Sequence, residues 1–174
     1  MFCRTSDFPF ISLLEGNWLT VRDELNALPS GSFEPWPERF IYEGTWNVFG
    51  LYAFGSKLAG NCRLCPRTTE LVERIPGLTT AGFSWLAPKT HIRPHSGYSK
   101  TVLRCHLALI TPTGCALRVA NETRTWESGK CFVFDDTSEH EAWNQSDDVR
   151  VVLLIDFLRS AIASQASVAS QPAT

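Results

Sequence analysis

The sequence has no excess of positive charge: 16 Lys and Arg stand against 18 Asp and Glu, a formal net charge of −2. Phosphate backbones are gripped by basic stripes, so this balance excludes a broad nucleic-acid partner. No apolar run approaches the roughly 20 residues needed to cross a bilayer. The Met1-Phe2-Cys3-Arg4 start also has none of the apolar core of a signal peptide. These absences predict a soluble, cytoplasmic protein without a membrane partner. A second Cys-x-x-Cys pair is missing as well. Cys62-Arg63-Leu64-Cys65 stands alone, whereas a structural zinc site wants four ligands. Cys3, Cys62, Cys65, Cys105, Cys115 and Cys131 are therefore expected to be inert thiols packed as small hydrophobes.

The chain has 174 residues, 44% of them apolar, enough for one domain with a sizeable core. That domain is expected over residues 1–159. The Ala-, Ser- and Gln-rich stretch 160–174 is expected to be a frayed helix end and disordered tail. Near the start, Ile11, Leu14, Trp18, Val21, Leu25 and Leu28 recur at helical spacing, and Pro29-Ser30-Gly31 ends the run. Residues 29–44 read as an ordered loop. Trp46 to Phe54 is strand-like, and Pro66 opens a short helix that runs to Ile75. After Thr79 short β-type runs alternate with turns. In Thr101–Thr111, Val102, Arg104, His106, Ala108 and Ile110 share one face, with Leu103, Cys105, Leu107 and Leu109 on the other. Strands after a helical start predict a β-sandwich or barrel with helices packed outside.

All four histidines, His91, His95, His106 and His140, fall in the strand-rich half, and imidazole is the commonest protein metal ligand. A hairpin centred on Gln145 would set His140 opposite Arg150 on one face. Arg150 then starts a face that continues through Val152 and Leu154. A buried guanidinium needs an anion there, either Asp135, Asp136 or Asp156, or a ligand carboxylate. Arg104 and His106 repeat the theme. Two arginines and two histidines aimed into an apolar lumen suit an anionic cofactor beside a metal.

The stretches Phe83-Ser84-Trp85-Leu86, Pro94-His95-Ser96-Gly97, Leu103-Arg104-Cys105-His106-Leu107, Phe134-Asp135-Asp136-Thr137-Ser138-Glu139-His140 and Arg150 through Asp156 carry a more specific likeness. In order and spacing they resemble the catalytic core of the aspartyl/asparaginyl β-hydroxylase family, whose members are Fe(II)- and 2-oxoglutarate-dependent dioxygenases. The resemblance implies a double-stranded β-helix, a cupin-like jelly roll with N-terminal helices on its outside. It implies that His95 and His140 bind iron and that Arg150 pairs with the distal carboxylate of 2-oxoglutarate. Ser84, Arg104 and His106 match residues that hold the rest of that cosubstrate. The implied reaction consumes O2, hydroxylates a C–H bond, and releases succinate and CO2. Most non-haem iron oxygenases carry a carboxylate two residues after the first histidine. Here that position is Gly97, as in this family, so an intact triad is not expected, and Asp135 or Asp136 is expected to support the site or form a turn.

Two departures stand near the mouth. Pro88-Lys89-Thr90 replaces the family's common Pro-Gly-Thr, and Lys100 replaces a frequent asparagine. With His91, Arg93 and Tyr98 they form a mostly basic rim that either steers an anionic substrate or is a solvated edge. Trp85, Trp126 and Trp143 are candidates for the lumen or simply for the core. A bare core of about this length favours a small-molecule substrate, as in secondary-metabolite biosynthesis, over a protein. A cyclase, desaturase or isomerase, a peptidyl hydroxylase, and a non-catalytic metal-binding jelly roll are the other readings.

Overall fold

The computed structural model describes residues 1–162, so the expectation of a disordered tail lies, from 163 on, outside the described residues. In chain order the elements begin with β1 (Phe2–Cys3), α1 (Ile11–Gly16), α2 (Trp18–Asn26), β2 (Glu34–Pro35), β3 (Tyr42–Glu43), β4 (Trp46–Ala53) and β5 (Ser56–Lys57). They continue with α3 (Ala59–Leu64), α4 (Pro66–Glu73), β6 (Leu78–Leu86), β7 (Thr90–His95) and β8 (Val102–Ile110). The last are β9 (Cys115–Val119), β10 (Glu122–Arg124), β11 (Cys131–Phe134), β12 (His140–Asn144) and β13 (Arg150–Leu158).

The strands form two antiparallel sheets. The larger runs β1-β11-β8-β13-β6-β4-β2 with β5 beside β4, and the smaller runs β10-β9-β12-β7-β3. Strand alternation divides the apolar residues of the large sheet into two sets. Leu103, Cys105, Leu107 and Leu109 of β8, with Val151, Leu153, Ile155 and Phe157 of β13, face outward. There they pack against Ile11, Leu14, Val21, Leu25, Leu71 and Val72 of the helices. Ala108 and Val152 face inward and meet Leu117, Val119, Ala142, Trp126 and Phe134 in the lumen between the sheets. The fold is the jelly roll expected from the sequence, with the helices covering the outer face of one sheet.

Three local differences have physical causes. The first amphipathic stripe is carried by two helices, because Asn17 donates its side-chain amide to the Leu13 carbonyl and breaks the backbone ladder there. Helix α3 goes unseen in the sequence because its six residues include only one that is buried, Cys62. The hairpin expected around Gln145 does not form: β12 pairs with β7 and β9, whereas β13 pairs with β6 and β8. The chain crosses between sheets at that turn. Asn144, fully buried, fixes the crossing by donating to the carbonyls of Leu86, Ala87 and Asp148.

All six cysteines are free, and every one except Cys3 is buried. Burial pushes the Cys65 thiol up to about 12, far from a reactive thiolate. Lys89 sits at φ 57, in the left-handed region, which explains why glycine is the comfortable residue there.

Candidate active site

His95 and His140 are cross-strand partners of β7 and β12, with ring centroids 4.2 Å apart. Simple alternation would put His95 on the face opposite the lumen residue Ile92. A register irregularity lies between the two strands there, with Arg93 and Pro94 as the extra length on β7. Proline has no N–H to give to the ladder, and the bulge turns His95 inward. Each imidazole is then held by the carbonyl two residues before it. His95 Nδ1 lies 2.8 Å from the Arg93 carbonyl and His140 Nδ1 lies 2.9 Å from the Ser138 carbonyl. A carbonyl only accepts, so both Nδ1 atoms carry a proton, and in the neutral ring the lone pair is left on Nε2. That is the tautomer a metal requires, with backbone carbonyls as the outer partners.

A carboxyl group closes the arrangement. Asp136 Oδ1 lies 3.3 Å from His140 Nε2 and 2.6 Å from the Arg104 guanidinium. Arg104 also grips Asp156 bidentately, at 2.7 and 2.9 Å. Burial pushes Asp136 up from the usual carboxylate range, with Arg104 pulling the other way and Asp156 adding to the rise. Burial tends to lower Arg104, but Asp156 and Asp136 outweigh it and hold the guanidinium above its usual range. Asp156, one of the partners considered for Arg150, thus belongs to Arg104 instead. Asp135 faces outward: it accepts from the Thr137 amide and hydroxyl and pairs with Arg159 at 2.6 Å. Among the described residues, no cluster of three or more His, Cys, Asp or Glu side chains is placed to hold a metal. The two imidazoles are the donors at hand.

Arg150 presents the opposite electrostatic problem. It is 1% exposed, on the first residue of β13 in the sheet facing His140. Its terminal nitrogen reaches only the Ser84 carbonyl and hydroxyl, at 3.4 and 3.5 Å, and its Nε has no partner. The guanidinium instead lies over Trp126, 4.8 Å from the ring centroid. Burial pushes it down to about 10. Ser84 Oγ already accepts from Trp46 Nε1 at 2.9 Å. His106, stacked on Trp126 with centroids 6.1 Å apart, has both ring nitrogens buried without a partner. Arg150, Trp126 and His106 therefore bring together hydrogen-bond donors that have no acceptor. Such a set is costly in a protein interior unless an anion completes it.

A cavity of about 1080 Å³ opens onto the histidine end. His95, Arg104, Asp136, Leu154 and Asp156 line it, with Trp46, Val48, Gly50 and Gly82, whereas His140, Ser84, His106, Trp126 and Arg150 lie outside its lining. Phe40, Leu58, Phe54 and Tyr98, all exposed, stand around it. Sequence reasoning brought His95, His140, Ser84, Arg104, His106 and Arg150 to the inner faces but missed the Arg104–Asp136–Asp156 cluster. Of the three tryptophans considered for the lumen, only Trp126 is there. Trp85 packs toward the helices because its neighbour Ser84 points inward, and Trp143 alternates away from lumen-facing Ala142. Three members of the basic rim are paired along the edge: Lys89 meets Asp147, His91 meets Glu141 and Arg93 meets Glu43.

The buried histidines give the protein a defined acid sensitivity. Burial, then the neighbouring His95, pushes His140 down to about 3, and burial with Arg150 and Arg104 takes His106 well below its usual value. Unfolded histidines protonate near 6.5 while these stay neutral, so below that pH the unfolded state binds more protons and stability falls. Asp136 acts with the opposite sign, because burial holds its carboxyl above the ordinary carboxylate range. Between pH 7 and pH 5 the metal-free protein should lose stability, about 2 kcal/mol of it from His140 and a further loss of the same sign from His106. Urea midpoints measured across that interval check this, and a flat profile would refute it.

A jelly roll presenting two inward-facing imidazoles and a buried arginine without a counter-anion defines a class of cupin-like proteins with a polar site between the sheets. The comparisons specify the class. The family model described as aspartyl/asparaginyl beta-hydroxylase matches residues 15–160, and the chain belongs to this family. It is 40% identical to the ornithine lipid ester-linked acyl 2-hydroxylase of Rhizobium tropici over 166 residues, which cover 89% of the chain and 59% of that protein. It is 37% identical to the human aspartyl/asparaginyl beta-hydroxylase over 84% of the chain and 20% of that protein. The chain thus spans only part of the relatives it matches. Its fold is similar to that of a Pseudomonas putida prolyl-4-hydroxylase, with a TM-score of 0.55 at 16% identity, covering 86% of this chain and 98% of that one.

Proposed function

We propose that the chain is an Fe(II)- and 2-oxoglutarate-dependent dioxygenase that hydroxylates a C–H bond of a small molecule. The observation that carries this reading is the pairing of two Nε2 lone pairs with a buried guanidinium that has no counter-anion. His95 and His140 would hold the iron. Arg150 would take the distal carboxylate of 2-oxoglutarate, with Ser84 and His106 about the rest of it; Arg104, matched to the same role by the family resemblance, is held by Asp136 and Asp156 and would act through them. When bound, iron and 2-oxoglutarate supply the oxidising power: O2 is consumed, one oxygen atom enters the substrate C–H bond, and succinate and CO2 leave. The protein's part is orientation and exclusion of water. The two backbone carbonyls keep the imidazoles in register, Asp136 stands beside them, and the apolar lumen keeps the site dry.

Charge in the cavity bears on the substrate. Its described lining has two permanently cationic side chains, and both are engaged: Arg104 with Asp136 and Asp156, and Lys57 with Glu73 at 2.5 Å. No cation is left over to receive a substrate carboxylate, which disfavours a peptidyl aspartate. Apolar walls suit a substrate whose reacting carbon lies in an alkyl or acyl chain. The 40% identical relative is named for hydroxylating an acyl chain, which supports the same reading.

Anaerobic addition of Fe(II) and then 2-oxoglutarate tests the cofactor assignment. A visible metal-to-ligand charge-transfer band should appear only when both are present, and its absence would remove the oxygenase reading. In air, acyl-bearing amphiphiles should raise succinate release above the substrate-free rate, whereas Asp-containing peptides should not.

A further inference from the structure

We propose that Trp126 is a cosubstrate-binding residue: its indole N–H donates to the anion that Arg150 binds, while its ring face carries the guanidinium. The inference rests on the 2-oxoglutarate reading above and adds a residue to it. Trp126 is 7% exposed, yet its Nε1 is buried with no hydrogen-bond partner. A core tryptophan normally finds an acceptor for that group, because leaving it unmade costs the full desolvation of the N–H. Trp46 shows the normal case in this same lumen, with its Nε1 bonded to Ser84 Oγ. Trp36, the ring stacked on Trp46 at 4.2 Å, likewise gives its Nε1 to Glu38.

The neighbours of Trp126 indicate what is missing. Arg150 lies over one part of the ring and His106 stacks nearby, and each also has buried nitrogen without a partner. Unmet donors from three separate segments in one place call for a single acceptor with several lone pairs. A carboxylate, with two oxygens and about four acceptor directions, fits that requirement, and a water molecule does not neutralise the guanidinium. Beside the long contacts to Ser84, the electron-rich ring face is a negative electrostatic feature against Arg150, and it braces the guanidinium. The indole therefore has two roles, bracing the arginine with its face and binding the ligand with its edge. The substitution Trp126→Phe separates them, since phenylalanine keeps a face and deletes the N–H.

Trp126→Phe should weaken anaerobic 2-oxoglutarate binding to the Fe(II) protein about tenfold, the loss of one hydrogen bond to a charged group. Fe(II) binding alone should be unchanged, because His95 and His140 are untouched. Trp126→Leu, which also removes the face, should weaken 2-oxoglutarate binding further. An unchanged 2-oxoglutarate affinity in Trp126→Phe, with the wild type binding normally, overturns the proposal and leaves the cofactor reading standing. Failure of the wild type itself to bind 2-oxoglutarate removes both. Should the Trp126 variants not fold, the wild-type protein loaded with Zn(II) and labelled with 15N at tryptophan tests the same hydrogen bond. The other five of its six indole resonances are assigned by single Trp→Phe variants. The Trp126 N–H resonance should move downfield on adding 2-oxoglutarate, and a resonance that stays in place counts as refutation.

Discussion

Arg150→Met should make the ligand-free protein more stable and, in the same molecule, abolish 2-oxoglutarate binding. The first effect follows from the present state of the guanidinium. It is fully buried, its contacts to Ser84 are long, and no carboxylate pairs with it. A charge pushed down to about 10 by burial costs on the order of 3 kcal/mol in the folded state. Methionine has similar reach, no charge, and packs readily against Trp126. Allowing about 1 kcal/mol for the lost cation–ring contact, the net gain is about 2 kcal/mol, or a rise of about 4 to 8 °C in melting temperature for a chain of this size. The second effect has the opposite sign because the bound carboxylate would lose its only full counter-charge. Removing one member of a buried ion pair costs about 3–5 kcal/mol, which is a loss of two to three orders of magnitude or more in affinity. Calorimetry and an anaerobic 2-oxoglutarate titration on the same preparation read the two numbers. A lower melting temperature together with an undiminished affinity would show that Arg150 is a structural residue. A trade of stability for binding is what separates a ligand site from a core residue.

The contrast between a core residue and a ligand residue also marks how far the sequence could be read. Period-two alternation in β8 and β13 divided lumen from helix layer correctly, because both strands are buried on two sides and a one-residue slip would exchange the faces. The reach of that logic ended wherever the ladder is irregular. His95 faces the lumen because of the bulge next to Pro94, so its orientation was available from the family resemblance but not from spacing. The turn around Gln145 looks like a hairpin, since local pattern cannot tell a return within one sheet from a crossing to the other. His140 and Arg150 consequently face the lumen from opposite sheets, which gives a ligand room between them. Partnerships among charges were the least legible. Asp156 is one of three candidate partners for Arg150 in the sequence, but register places it opposite Arg104 on adjacent strands. The unmet N–H of Trp126 has no sequence signature at all, because an orphaned donor is a property of three-dimensional neighbours.

Gly97→Asp, which would place a carboxylate two residues after His95 in the proposed iron-binding pattern, should damage the protein, and Asp136→Ala should repair it. A Cβ at position 97 would lie 1.7 Å from Asp136 Oδ2 and 2.6 Å from its Cγ. The space where a triad carboxylate would begin is thus already filled by a carboxylate that arrives from the β11–β12 turn. The backbone fixes the clash, since Gly97 donates its N–H to the Asp136 carbonyl at 2.8 Å. Gly97→Asp must therefore expel the Asp136 side chain and break its 2.6 Å contact with Arg104. It also places a further negative charge beside Asp136 and Asp156. The single variant should lose about 3–5 kcal/mol of stability, as expected when a buried charged network is broken. In Gly97→Asp with Asp136→Ala one carboxylate replaces the other: the clash is gone, the local charge is restored, and Arg104 keeps Asp156. Most of the stability should return, so that the two substitutions combine with an interaction energy of about 2–3 kcal/mol instead of adding. Fe(II) affinity provides the second reading. In the double variant it should equal or exceed that of the wild type, because a carboxylate would stand two residues beyond His95 in the usual triad position. A Gly97→Asp protein as stable as the wild type, or a double variant no better than the single, would mean that Asp136 does not occupy the triad position. The two-histidine pattern would then need another physical cause.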